Sequence, residues 1–233
     1  MSKIALISGT RTGIGKELTL HLLGQDFTVV GCSRGDGDID HREYLHYNCD
    51  VANENQVIGM CRDVATRFGR IDVLINNAGI ASMNHLLLTP TETAKKVMET
   101  NYIGTFLFTR EVGKIMARKK HGRIVNMTTV ARPLNLEGEA VYASSKAAVE
   151  TLTRISAIEL APLGITVNAL GVSPFLSDLT RTVPEASMDL LIERQAIRRL
   201  ATVEDISNVV DFFIKKDSEF VTGQIVYLGG VFD

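Results

Sequence analysis

The sequence has 233 residues, of which 45% are hydrophobic and 22% are charged, and its formal net charge is −2. This length and composition are typical of a globular α/β domain, so we expect a single domain over residues 1–233. The near-neutral charge argues against a nucleic-acid partner. No apolar run approaches the ~18 residues that cross a bilayer, which argues against a membrane partner.

Three cysteines, Cys32, Cys49 and Cys61, show neither a CxxC pair nor a spacing to histidine that suits zinc. An odd cysteine count with no signal sequence is typical of reduced thiols in the cytosol. We therefore expect a cytoplasmic protein without a metal site.

Seven short apolar runs are typical of strands that are covered on both faces. In chain order, the predicted strands are residues 3–8, 27–32, 45–49, 72–75, 123–128, 166–170 and 224–228. The spacing of apolar residues predicts helices at residues 13–23, 53–68, 91–117, 141–160, 188–195 and 202–214. Because strands alternate with helices, the predicted fold class is α/β, a doubly wound parallel sheet of the Rossmann type.

Two connections are predicted as loops. About ten residues separate Arg34 from Leu45, which is at the lower limit for a parallel crossover that contains a helix. Residues 171–187 are also predicted as loop, and we expect residues 173–200 to form a lid over the substrate. Four arginines there could meet an anionic substrate or a carrier protein, although surface or subunit contacts are commoner: Arg181, Arg194, Arg198 and Arg199.

The turn after the first strand has the spacing Gly-xxx-Gly-x-Gly. Glycines let backbone N–H groups approach a pyrophosphate, and the following helix points its positive N-terminus at the phosphates. The first strand-to-helix junction is where doubly wound sheets bind dinucleotides, although an ordinary turn is the alternative. The predicted cofactor-binding residues here are Gly9, Arg11, Thr12, Gly13, Ile14 and Gly15.

The end of the second strand, Ser33-Arg34, carries no acid that could bond the 2′-hydroxyl of NAD. The guanidinium of Arg34 suits a 2′-phosphate, and Arg11 could add a second positive charge. The sequence therefore predicts NADP(H), with NAD(H) possible. In the alternative interpretation, Arg34 is solvated and Asp36 or Asp38 holds NAD.

Tyr142 and Lys146 are four residues apart at the start of a predicted helix, so their side chains share one face. A nearby ammonium group favours phenolate and would lower the tyrosine pKa from about 10 toward the working range of a general acid or base. The spacing alone is also compatible with an ordinary pair of surface residues.

Asn76-Asn77-Ala78-Gly79 follows the fourth strand, between the glycine turn and the tyrosine–lysine pair. With residues 121–125 and 222–224, these motifs resemble the short-chain dehydrogenase/reductase family in order and spacing along essentially the whole chain. The likeness is greatest to β-ketoacyl-acyl-carrier-protein reductases. It implies hydride transfer between the nicotinamide of NADP(H) and a carbonyl or alcohol.

The resemblance also implies roles for matching residues. Tyr142 would donate or accept the proton, Lys146 would tune it and hold the ribose, and Asn101 would hold a proton-relaying water. The remaining implied cofactor contacts are Asp50 and Val51 at the adenine, Asn77, Ala78 and Gly79 along the channel, and Ser177. Asn101 could instead satisfy backbone groups at a helix irregularity, Asp50 could cap a helix, and Asn76 could bond neighbouring strands.

Two positions depart from the family pattern. Thr129 lies thirteen residues before the tyrosine, where the family has serine. Its hydroxyl keeps the donor that polarises a substrate carbonyl, while its methyl group crowds the pocket. Val172 and Ser173 replace the usual Pro-Gly, so the turn over the nicotinamide is expected to differ.

We therefore expect an oxidoreductase whose substrate is a carbonyl compound, with a 3-oxoacyl thioester on acyl carrier protein as one candidate. One alternative is a reductase or dehydrogenase of a small metabolite, sugar or secondary product. The other is a non-catalytic cofactor-binding scaffold, against which Tyr142, Lys146 and Asn101 argue. The resemblance further implies a homotetramer, or else a dimer, with contacts on the helices that begin at residues 91 and 141.

Overall fold

Seven parallel strands form one sheet in the computed structural model, which describes residues 2–175 and 185–232 without the side chains of 185–187. The strands are β1 (Ile4–Ser8), β2 (Thr28–Ser33), β3 (Tyr44–Asn48), β4 (Val73–Asn76), β5 (Gly122–Thr129), β6 (Ile165–Val172) and β7 (Ile225–Tyr227). Their order across the sheet is β3-β2-β1-β4-β5-β6-β7, and each neighbouring pair is parallel. The predicted α/β fold is confirmed.

Helices cover both faces of the sheet. They are α1 (Gly13–Leu23), α2 (Glu54–Phe68), α3 (Thr91–Met98), α4 (Gly104–Lys119), α5 (Ala131–Leu134), α6 (Ala140–Leu160), α7 (Glu185–Glu193) and α8 (Val203–Ile214). On one face, α2 and α4 bury Val57 and Phe108 against the strands, and on the other, α1 and α8 bury Leu22 and Phe213. Burial on both faces explains why β1 and β4 are apolar at successive positions. Within the described ranges, no helix has the length and apolar character needed to span a membrane.

The predicted helix over residues 91–117 is wrong in its middle. A π-helical turn, Glu99–Ile103, separates α3 from α4, and the helical run continues to Lys119. The turn places the buried amide of Asn101 so that it bonds Ile80 and Ser145. These are tertiary contacts, and the periodicity of apolar residues carries no information about them. By contrast, residues 34–43 contain no helix, as predicted.

The loop predicted over residues 171–187 is wrong at both ends. β6 continues to Val172, which pairs with Thr129 of β5, and α7 begins at Glu185. The strand can continue because Gly171 leaves room for the ring of Tyr227. A Cβ atom on Gly171 would lie 2.1 Å from that ring.

The chain reverses its direction of growth across the sheet between β3 and β4. Strands β2 and β3 lie on one side of β1, and strands β4 to β7 lie on the other. A crevice opens at the carboxyl ends of β1 and β4, because the connections that follow them leave in opposite directions. The glycine turn and the Asn76–Gly79 segment meet at this crevice.

Candidate active site

A cleft of about 1060 Å³ opens at the carboxyl end of the sheet. Most of the predicted site residues line it: Gly9, Arg11, Thr12, Gly13, Ile14, Ser33, Arg34, Asp50, Val51, Asn77, Ala78, Gly79, Thr129, Tyr142 and Lys146. Gly15 and Asn101 are buried beside it, and Ser177 lies outside the described residues. One cavity therefore holds both the predicted cofactor turn and the predicted catalytic pair.

The glycine turn is packed tightly against the segment that follows β4. Gly9 has φ +77°, and a Cβ atom on it would lie 2.9 Å from the Cα of Ala78. A Cβ atom on Gly15 would lie 2.1 Å from the carbonyl oxygen of Gly9. Thr12 begins α1 in an extended conformation without a side-chain capping bond, so the helix N-terminus points into the cleft uncapped.

The Asn76–Gly79 segment clamps this turn. The side-chain amide of Asn77 donates to the carbonyls of Ser8 and Gly9, at 3.0 and 3.1 Å. The hydroxyl of Ser8 accepts from the backbone N–H groups of Asn77 and Ala78, at 3.1 and 3.0 Å. Sequence reasoning missed Ser8, because a serine that ends a strand carries no distinctive signal. The predicted structural role of Asn76 is confirmed by its 2.8 Å bond to Asn126 of β5.

At the end of β2, both arginines are exposed and both candidate acids are engaged elsewhere. Arg11 and Arg34 line the cleft with exposed side chains. Lys16 donates to Asp38 at 2.6 Å and holds the pKa of that carboxyl below its usual value. Asp36 accepts from Asn48 at 2.7 Å. These partners count against the alternative in which Asp36 or Asp38 holds the ribose of NAD.

A hydrogen-bond chain that the sequence did not reveal joins the two cofactor turns. The hydroxyl of Thr10 lies 2.8 Å from that of Tyr44, which lies 2.8 Å from Nδ1 of His46. Nε2 of His46 in turn lies 3.0 Å from both Ser33 Oγ and the carbonyl of Gly35. Tyr44 and His46 are alternate residues of β3 and share one face, which was the available signal.

Tyr142 and Thr129 meet at the other end of the cleft. The hydroxyl of Thr129 accepts from the N–H of Ala131 at 3.2 Å, so its own proton is available to a second group. The predicted lowering of the tyrosine pKa is wrong for this structure: burial raises the pKa of Tyr142 to about 12, although the Thr129 hydroxyl opposes the rise. Burial disfavours the charged phenolate, and Lys146 does not offset that cost here.

Lys146 and Asn101 lie under the tyrosine. Lys146 is buried, donates to the carbonyl of Met127 at 2.8 Å, and burial lowers its pKa to about 8. The amide of Asn101 bonds the backbone of Ile80 at 2.8 and 2.9 Å and donates to Ser145 at 2.9 Å. These bonds are the structural role that the alternative interpretation gave Asn101, and the water-holding role stays a prediction.

Two other predicted positions differ in their local contacts. Asp50 accepts from the N–H of Ala52 at 3.0 Å, whereas Asn53 caps α2. In the altered turn after β6, the carbonyl oxygen of Pro174 accepts from the N–H of Ala201 at 2.8 Å, and the buried hydroxyl of Ser173 has no hydrogen-bond partner among the described residues.

The expected lid is described only in part. Its arginines do not form one cluster: Arg194 donates to the carbonyl of Leu134 at 2.6 Å, Arg199 pairs with Asp205 and Arg198 is exposed. Arg181 lies outside the described residues. From α7, Met188 and Leu191 line the cleft, so the described part of the lid borders the site.

Two acids of this region were missed by sequence reasoning. Glu150 is fully buried on α6, accepts from Thr128 and Tyr227 at 2.8 Å each, and pairs with Arg132 at 2.9 Å. Glu139 lines the cleft beside the start of α6. Among the described residues, no three His, Cys, Asp or Glu side chains form a group that could hold a metal ion.

A dinucleotide cradle, a half-buried tyrosine and a buried lysine in one cleft define a nicotinamide-dependent oxidoreductase. A family model described as enoyl-(acyl carrier protein) reductase matches residues 9–231. The chain belongs to the short-chain dehydrogenase/reductase family and is an NAD(P)-dependent oxidoreductase.

Relatives of known name cover nearly the whole chain. The 3-oxoacyl-[acyl-carrier-protein] reductase of Staphylococcus epidermidis is 32% identical over 99% of this chain and 98% of its own length. The (2S)-[(R)-hydroxy(phenyl)methyl]succinyl-CoA dehydrogenase subunit of Thauera aromatica is 35% identical over 98% and 96%. The solved structure of ElxO with NADP bound superposes with a TM-score of 0.91 at 30% identity, over 99% of this chain and 98% of that one.

Proposed function

We propose that this protein is an NADP(H)-dependent carbonyl reductase. The observation that carries the proposal is the single cleft that joins the glycine turn and Arg34 to Thr129, Tyr142 and Lys146. The cofactor fits the residues present: the first turn of α1 has no side-chain cap, so its backbone N–H groups are available to a pyrophosphate, and the two exposed arginines suit a 2′-phosphate. The NADP-bound ElxO structure supports the same assignment.

When bound, the nicotinamide supplies the hydride. Tyr142, whose phenol is protonated throughout the neutral range, donates the proton to the carbonyl oxygen. The hydroxyl of Thr129 donates a hydrogen bond to the same oxygen as negative charge develops on it. Lys146, still largely charged near neutral pH, stabilises the phenolate that remains and would hold the nicotinamide ribose.

Two substrate classes follow from different observations. The Staphylococcus epidermidis relative is a 3-oxoacyl-[acyl-carrier-protein] reductase. A 3-oxoacyl thioester, either free or on acyl carrier protein, is therefore the first substrate to test. A small hydroxylated metabolite or sugar is the second class, and the unpaired carboxyl of Glu139 in the cleft favours it.

A turnover panel tests the proposal. Oxidation of NADPH is followed by absorbance with an acetoacetyl thioester and with simple and hydroxylated ketones, and NADH is compared in parallel. We expect turnover of at least one class and a preference for NADPH. Tight NADPH binding without turnover of any carbonyl would instead support the non-catalytic scaffold.

We also propose a cytoplasmic homo-oligomer, a tetramer or a dimer, with contacts on the helical run from α3 to α4 and on α6. The support is a set of exposed apolar side chains at these helices. They are Ile103 (38% exposed), Ile155 (51%) and Ile158 (76%). Apolar side chains at this exposure on adjoining helices are typical of subunit contacts.

A further inference from the structure

Glu139 is an acid in the wall of the cleft whose hydrogen-bonding capacity is not fully used by the described residues. Its Oε2 atom is shielded from solvent and has no hydrogen-bond partner among the described residues. Its position is the N-cap of α6, yet its side chain makes no capping bond. A shielded carboxyl without partners is costly, so a purely structural role would be expected to supply some.

Glu150, on the same helix, shows what a structural acid looks like in this fold. Its Oε1 atom accepts from the hydroxyls of Thr128 and Tyr227, and its Oε2 atom, which accepts no hydrogen bond from the described residues, forms an ion pair with Arg132 at 2.9 Å. Glu139 has neither compensation among the described residues. Because Glu139 also lines the cleft, the contrast indicates that its carboxyl group is available to a group that enters the cleft.

Glu139 also lies beside the reacting position. It precedes Tyr142 by three residues, at the N-cap of the helix that carries Tyr142, and both residues line the cleft. Burial is the main cause of the raised pKa of Tyr142, and the negative charge of the Glu139 carboxylate adds to the rise. A substrate whose carbonyl oxygen meets Tyr142 would therefore present the neighbouring carbon to Glu139.

We propose that Glu139 is a specificity-determining residue that accepts a hydrogen bond from a hydroxyl on the carbon next to the reacting carbonyl. The substrates of this class are α-hydroxy ketones, and their reduction products are vicinal diols. A 3-oxoacyl thioester has a methylene group at the corresponding position, which offers no hydroxyl donor to a carboxylate. The inference rests on the proposed carbonyl reduction and deepens it.

The protonation of Glu139 is consistent with this role. Burial raises its pKa to about 7, and the ionisable groups that line the same part of the chain's cleft with it are Tyr142, Lys146, His85, Glu137 and Arg194. A hydroxyl can donate to either form of the carboxyl group. A methoxy group can bind only as an acceptor, and hence only to the protonated form.

A matched pair of ketones tests the proposal at about pH 8, above the pKa of Glu139. 2-Hydroxyacetophenone and 2-methoxyacetophenone differ by one methyl group, which replaces the hydroxyl proton and so removes the donor. We expect the wild-type protein to favour the hydroxy ketone by about tenfold in kcat/KM. We expect Glu139→Ala to lose that preference. Glu139→Gln, which keeps an acceptor oxygen, should retain part of it. The control Glu159→Ala, at an exposed acid on the same helix that does not line the cleft, should retain all of it.

Binding measured by calorimetry separates this inference from the proposed function. 1-Phenylethane-1,2-diol and its 2-methyl ether are titrated into the protein with NADP⁺, so the readout does not need turnover. Tighter binding of the diol that is lost in Glu139→Ala supports the role of Glu139, even if every ketone fails as a substrate. Equal binding of the two alcohols, or an unchanged ratio in Glu139→Ala, overturns it.

Discussion

The two ends of the cleft place their charges in opposite environments. At the phosphate end, Arg11 and Arg34 are exposed, and Asp38 is held by Lys16 at the surface. At the catalytic end, burial raises the pKa values of Tyr142 and Glu139 to about 12 and 7 and lowers that of Lys146 to about 8. Recognition of a charged phosphate needs only charges within reach, whereas proton transfer needs groups whose proton affinity the fold has changed.

The sharpest test of this contrast is Tyr142→Phe, which removes the half-buried proton donor and leaves the phosphate end intact. We expect kcat for carbonyl reduction to fall by about 10²- to 10⁴-fold, the range for loss of a general acid, with NADPH affinity nearly unchanged. Steady-state kinetics and a fluorescence titration of NADPH measure the two effects. Tyr47→Phe, whose hydroxyl bonds Asp63 at the surface, is the matched control. Normal turnover in Tyr142→Phe would show that another group donates the proton.

The next effect concerns the threonine that replaces the family serine. Thr129→Val keeps the branched shape but removes the hydroxyl, and we expect kcat to fall by about 10²-fold, as for loss of one donor to a developing oxyanion. Thr129→Ser keeps the hydroxyl and should stay within a few-fold of wild type. Equal losses in both variants would assign Thr129 a packing role rather than a chemical one.

The pH dependence of the rate should identify Lys146. Its pKa is lowered from 10.5 to about 8, so the ammonium form is lost as the pH rises through 8. Tyr142 stays protonated until about pH 12 and does not contribute to this limb. We expect kcat/KM for reduction to fall roughly tenfold for each pH unit above 8. Lys146→Arg, if active, should shift the limb to higher pH, and an unchanged limb in that variant would assign it to another group.

The smallest effect is expected at the exposed end of the cleft. Arg34→Ala should lower the preference for NADPH over NADH by about tenfold in kcat/KM, because a solvated arginine–phosphate contact is worth less than a buried one. Kinetics with both cofactors measure the ratio. Arg42→Ala removes a comparably exposed arginine that does not line the cleft and should leave the ratio unchanged. Equal weakening of both cofactors in Arg34→Ala would remove the argument for a 2′-phosphate.

The sequence by itself determined the sheet, the glycine turn and the tyrosine–lysine pair. Apolar runs and helical spacing are local patterns, and they placed strands and helices close to their observed bounds. The π-helical turn at Glu99–Ile103 was missed because it serves a tertiary bond of Asn101, and the continuation of β6 through Val172 was missed because it depends on the ring of Tyr227 against Gly171.

Only the tertiary structure decided which acids have bonding partners and in which direction the pKa values of the titratable groups shift. Glu139 and Glu150 are both glutamates of one short sequence stretch, but their partners come from β5, α5 and β7 and reach only Glu150. The tyrosine pKa was predicted to fall because spacing reports the nearby lysine, whereas the rise reflects desolvation by the surrounding fold. Desolvation depends on everything packed around a group, and a linear pattern does not contain that information.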